Sequence, residues 1–87
     1  MNMATIKLRT LRFLHSFRQA GGGPLSAVAI WQELTLPGQP TMTKAEFDVT
    51  FMELESSGLV AGITPQLGGP ALYAITDRGA LILASAS

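Results

Sequence analysis

The 87-residue chain has no cysteine, which excludes a disulfide framework and any thiolate metal site. It has one histidine, His15, too few for a histidine-built metal centre or an arguable Ser-His-Asp set. Charged residues are 14% of the chain, against about 25% in ordinary soluble domains. No apolar run approaches the about 20 residues of a membrane-spanning helix. The start, MNMATIKLRT, is basic but has no uninterrupted apolar stretch, so it does not read as a signal peptide. The expectation is a cytoplasmic protein without a membrane partner.

Other chemistry is equally thin. Gly21–Gly23 and Gly68–Gly69 stand outside any strand–GxxxxGK[ST]–helix context and read as turn glycines. Glu53 and Glu55 are two apart on a predicted helix, so they point to different sides and form no acid–base pair. No catalytic residue, metal, cofactor or small-molecule substrate is indicated, and the expectation is a non-enzyme.

What is present is 47% hydrophobic residues, enough for one small core. A chain this size buries about 60% of its unfolded surface. A single domain over 1–87 is expected. With so few charges, some apolar surface is expected to be covered by a partner or a second copy. Net charge is zero, but unevenly distributed. Lys7, Arg9, Arg12 and Arg18 crowd the start, while Glu33, Glu46, Asp48, Glu53 and Glu55 fall in the middle, joined there by Lys44.

Residues 41–62, TMTKAEFDVTFMELESSGLVAG, organise the chain. Thr43 and Glu46 have capping-box spacing, in which the hydroxyl accepts from a first-turn N–H and the carboxylate reaches back to the threonine N–H. Gly58 stands where a helix needs a left-handed terminal residue. Phe47, Phe51 and Leu54 form the predicted core face. Ala45, Val49, Met52 and Ser56 form the opposite stripe, bordered by Glu46, Asp48, Glu53 and Glu55.

Ahead of it, residues 5–20 read as a first helix, with Ile6, Phe13, Leu14, Phe17 and Ala20 on one face at about 100° per residue. Leu8 and Leu11 fall on the other side near His15, a solvated or interface position. The two leucines serve either an intramolecular contact or a dimer contact. Gly21–Pro24 ends that helix. Leu25 is an extended step or a very short strand, and Ser26 is placed to cap a second helix, AVAIWQEL. Ala27, Ile30, Trp31 and Leu34 give it a core stripe, with Trp31 a core anchor.

Beyond Gly58, LVAGIT and ALYAIT read as two strands around a PQLGGP turn. Thr76 is placed to cap a last helix, DRGALILA, whose Leu81, Ile82 and Leu83 seal the core or extend an oligomer contact. The prolines fall outside helices and at strand ends, consistent with this layout.

Two segments, LESSGLVAG and ALYAITDRGALIL, make the chain resemble a winged helix-turn-helix domain, close to small bacterial regulators of the PadR and MarR type. The second holds the pattern Tyr73, Ile75, Thr76 and Gly79. The resemblance runs from about Leu8 to Leu83. It implies an α+β fold of three helices, a two-stranded β-hairpin wing and a short C-terminal helix. It also implies that the third helix enters the DNA major groove and the wing touches the backbone or minor groove.

Two functions are expected from this. In the first, the chain binds double-stranded DNA as a regulator. Thr41, Thr43 and Lys44 would then be the contacts at the start of the third helix, with Arg9, Arg12 and Arg18 on the backbone. Against it, a DNA-reading face needs cations and amide side chains, whereas this helix carries carboxylates and the wing, ITPQLGGPALYAIT, has no Arg or Lys. In the second, the same scaffold is a protein-interaction module (an adaptor, an assembly component or an inhibitor). Ala45, Val49, Met52, Leu67 and Leu72 would then form the contact, an apolar centre depleted of charge. A homodimer through Leu8 and Leu11 is compatible with either.

Overall fold

The structure is a computed structural model that describes residues 3–35, 42–65 and 67–86. Its elements are α1 (Met3–Gln19), β1 (Leu25–Ser26), α2 (Ala27–Leu34), α3 (Lys44–Ser56), β2 (Val60–Ile63), β3 (Leu72–Ile75) and α4 (Asp77–Ala86).

α1 is the spine of the molecule, packing against α2, α3, α4 and β3. A helix covered on so many sides needs apolar residues around most of its circumference. Of the two roles expected for Leu8 and Leu11, the intramolecular contact is the one seen here. Leu11 is 3% exposed and belongs to the core, and half-buried Leu8 packs against it. Ile6 and Leu14 are buried as expected, Phe13 and Phe17 are half-buried, and Ala20 is exposed rather than core. Thr10 is also buried. Its hydroxyl donates to the Ile6 carbonyl at 2.8 Å, so the group enters the core already satisfied.

α2 starts at Ser26, whose Oγ accepts from the Ala29 N–H at 3.2 Å. Ile30 and Leu34 are buried. Trp31 packs half-buried against the core, with its Nε1 buried and without a hydrogen-bond partner.

α3 has the predicted capping box. The Glu46 N–H donates to Thr43 Oγ1 at 3.1 Å, and the Thr43 N–H donates to Glu46 Oε1 at 2.9 Å. These bonds, the backbone one first and the Thr43 hydroxyl second, hold the Glu46 carboxyl below the usual glutamate range. The helix stops at Gly58, which has φ +76°. The Gly58 N–H donates to the Glu55 carbonyl and the Leu59 N–H to the Leu54 carbonyl, each at 3.0 Å, the paired bonds of a Schellman stop. Phe47, Phe51 and Leu54 are buried as expected, together with Thr50 and Met42. Phe47 stacks on Phe51 at 5.3 Å between centroids, and the rings of Phe51 and Tyr73 meet edge to face at 4.8 Å.

The sheet corrects the two-stranded wing. It has three antiparallel strands in the order β1-β3-β2. Leu25 opposes Tyr73 and Ser26 opposes Leu72, while Val60 opposes Ile75 on the other edge. The short step after the first helix is thus a strand, tying the start of α2 to the wing.

The junction of α3, wing and α4 explains the Tyr73–Gly79 pattern. The Thr76 hydroxyl lies 2.7 Å from the Gly58 carbonyl and 3.1 Å from that of Leu59. The same oxygen accepts the Gly79 N–H at 3.0 Å, which caps α4. Gly79 lies so close to β2 that a β-carbon on it would stand 2.3 Å from the Leu59 carbonyl oxygen. In α4, Leu83 is buried, whereas Leu81 and Ile82 are 70% and 46% exposed.

Candidate nucleic-acid and protein interface on the third helix

α3 is held from behind by its aromatic face, so its other face is presented outward. Ala45, Val49 and Met52 are exposed there, Val49 at 52% and Met52 at 66%. At about 100° per residue these three lie in one narrow stripe. Asp48 and Glu55 flank it on one side, Glu46 and Glu53 on the other, and all four are exposed. Exposed Met3, from the first turn of α1, joins the stripe. An open groove of about 380 Å³ between the two helices is lined by Met3, Ile6, Ala45, Glu46, Val49 and Thr50. Met3 was not legible as a site residue, because only the tertiary packing of α1 on α3 brings it there.

The DNA candidates are placed as follows. Thr41 lies outside the described residues. The Thr43 oxygen is engaged in the cap. Lys44 Nζ lies 2.6 Å from Asp48 Oδ1 and 5.8 Å from the centre of the Phe47 ring. Arg9 donates to the Leu34 carbonyl at 3.1 Å, bracing the end of α2. Arg18 lies 3.4 Å from Asp77 Oδ1 and 3.5 Å from the Ile75 carbonyl, tying α1 to the start of α4. Arg12 is exposed, and no carboxylate among the described residues pairs with it. Lys7 lies 3.9 Å from Glu53 across the α1–α3 seam. The basic first helix therefore directs several of its charges inward to its own fold. The structure does not gather Thr43, Lys44 and the three arginines into one cationic face.

The protein-contact candidates are also split. Leu67 is fully exposed in the β2–β3 loop, while Leu72 is half-buried on β3 between its partners Ile63 and Ser26. At the foot of the wing, Glu55 Oε2 lies 3.3 Å from where a β-carbon on Gly62 would stand. A carboxylate thus sits in the angle between α3 and the β2–β3 hairpin. Phosphates approaching it meet repulsion unless a cation is recruited.

Among the described residues no group of His, Asp or Glu could hold a metal ion, and no helix is long and apolar enough to cross a membrane.

No protein-family profile matches the chain, and no curated protein matches it. Among solved structures, the chain is similar to a crystal structure of a proposed transcriptional regulator from Thermoplasma acidophilum. The TM-score is 0.72 at 17% identity, covering 98% of this chain and 77% of that one. At this identity the likeness shows the fold alone. The chain has an α+β fold of four helices and a three-stranded antiparallel sheet among the described residues, similar to that structure and compatible with a winged helix.

Proposed function

We propose that the chain is a non-enzymatic winged-helix protein of the transcriptional-regulator type, resembling the PadR and MarR kinds, that binds double-stranded DNA in the cytoplasm. The observation that carries this reading is the likeness, over 98% of the chain, to a protein described as a regulator. The contact would be the N-terminal end of α3, where unpaired backbone N–H groups and the helix dipole favour a phosphate. Thr43 and Lys44 stand there, with Arg12 and, from their bracing positions, Arg9 and Arg18 adding backbone contacts. Lys44 would exchange Asp48 for a phosphate readily, because an exposed pair four residues apart on a helix contributes only about 0.3–0.5 kcal/mol. So few cations give a shallow salt dependence per chain, with a slope of about −0.9 per phosphate contacted.

The test is fluorescence anisotropy of a labelled mixed-sequence duplex at low and moderate salt. Binding should weaken with salt. Lys44→Glu should abolish it, and Met52→Asp should leave it largely intact. No detectable binding at low salt sinks the reading.

A second reading is supported by the outer face of α3. The apolar stripe of Ala45, Val49 and Met52 between four carboxylates, beside a wing without cations, fits a protein-interaction module on this scaffold. It predicts the reverse sensitivity. Met52→Asp would break the protein contact, and Lys44→Glu would not.

A further inference from the structure

We infer that this chain associates with itself head to tail, the outer face of α3 on one copy docking on the outer face of α4 on the next. The inference rests on the second reading above, naming a second copy of this chain as the partner of the α3 face, and does not depend on the DNA reading.

The two faces are matched in kind and opposite in charge. On α3, exposed Val49 and Met52 lie between the carboxylates of Asp48 and Glu55 on one side and Glu53 on the other. On α4, Leu81 and Ile82 are exposed large apolar residues. At about 100° per residue, Arg78 falls between them on the outer face. Arg12 borders this face from α1, lining a groove with Ala80, Leu83 and Ala84. No described carboxylate pairs with Arg78 or Arg12. The one acid on that side, Asp77, is turned to Arg18.

Charge selects the mode of pairing. A symmetric contact of α3 with α3 sets carboxylates against carboxylates. Like charges brought together across an interface oppose association. A symmetric contact of α4 with α4 leaves the α3 stripe uncovered and brings none of the α3 carboxylates to Arg78. Only α3 against α4 covers both apolar stripes and places arginines beside carboxylates. Such an interface is heterologous, so it propagates into a ring or an open chain of copies. It also closes α3 to a duplex, so self-association and DNA binding compete for one helix.

The test is sedimentation velocity of the full chain, without DNA, over a range of concentrations at low and high salt. Average mass should rise with concentration and fall with salt. Met52→Asp and Leu81→Glu, both at exposed positions, should each lower the association constant by about tenfold or more. Mixed one to one, they should form a species of two chains and nothing larger. Each variant keeps the face the other has lost, and the two altered faces repel. Val49→Asp and Ile82→Glu replace either variant should it fail to fold, judged by circular dichroism. The inference is overturned if the wild-type chain stays monomeric throughout, if the mixture stays monomeric, or if the wild type stops at two copies through a face only one variant disrupts. Since no DNA is present, these outcomes leave the regulator reading to its own assay.

Discussion

Replacing Gly79 with alanine should destabilise the protein, although the position is inside a helix. An ordinary helical glycine gains about 1 kcal/mol on becoming alanine. Here the added methyl would stand 2.3 Å from the Leu59 carbonyl oxygen and 2.8 Å from Ile75 Cγ1. The side chain can turn aside; the carbonyl cannot do so cheaply. It accepts the Thr76 N–H at 3.1 Å and lies 3.1 Å from the Thr76 hydroxyl, which also caps α4. Moving it strains the α3 stop, the first residue of β2 and the start of α4 together. Forcing a methyl into a packed site costs about 1–3 kcal/mol, and a backbone obstacle belongs at or above the upper end. Set against the propensity gain, the net loss is about 2 kcal/mol. For a domain this size that lowers Tm by about 8–16 °C. Urea denaturation followed by far-ultraviolet circular dichroism should show a lower midpoint with an unchanged slope. A Gly79→Ala protein as stable as the wild type, or more stable, would refute the close approach of α4 to β2.

Three further outcomes are expected. Thr43→Ala should cost about 1 kcal/mol in urea denaturation, because it leaves the Glu46 N–H without its acceptor. Glu46 is held below its ordinary range by the cap, so its contribution is complete above the unfolded glutamate pKa and is lost as pH falls through the lower folded value. A Glu46→Gln protein should therefore lose less stability than the wild type on acidification, measured by thermal melts across that acidic window. Leu11→Glu should abolish cooperative unfolding in near-ultraviolet circular dichroism rather than produce a folded monomer, since it places a carboxylate in the core.

Sequence reading succeeded where the determinants are local. The Thr43–Glu46 box, the Gly58 stop and the Thr76 cap each depend on residues a few positions apart, and each stands where spacing placed it. The α3 core face was equally legible, because Phe47, Phe51 and Leu54 repeat on a single helical arc. α1 was only half legible, for the opposite reason. It has two apolar arcs, and both are packed by four neighbours that periodicity does not reveal. Thr10 and Thr50 read as polar, yet are buried because their hydroxyls donate to carbonyls one turn back, at 2.8 and 2.7 Å. The charges behave similarly. Lys44 with Asp48 follows from helical spacing, whereas the Arg9 bond to Leu34 and the Lys7 pairing with Glu53 exist only after the helices dock. The candidate site was therefore legible as a stripe on α3, but not as a groove shared with Met3.

β3 is the middle strand of the sheet, yet it follows in the chain both strands it pairs with. A ribosome therefore releases α1, β1, α2, α3 and β2 before the strand that joins them exists. The helices can begin to form as they emerge, but Leu25, Val60 and Phe51 have no sheet to pack on until Tyr73 and Ile75 arrive. Closure of the wing and completion of the core are then a single event that waits for β3, with apolar surface open to chaperones until that moment.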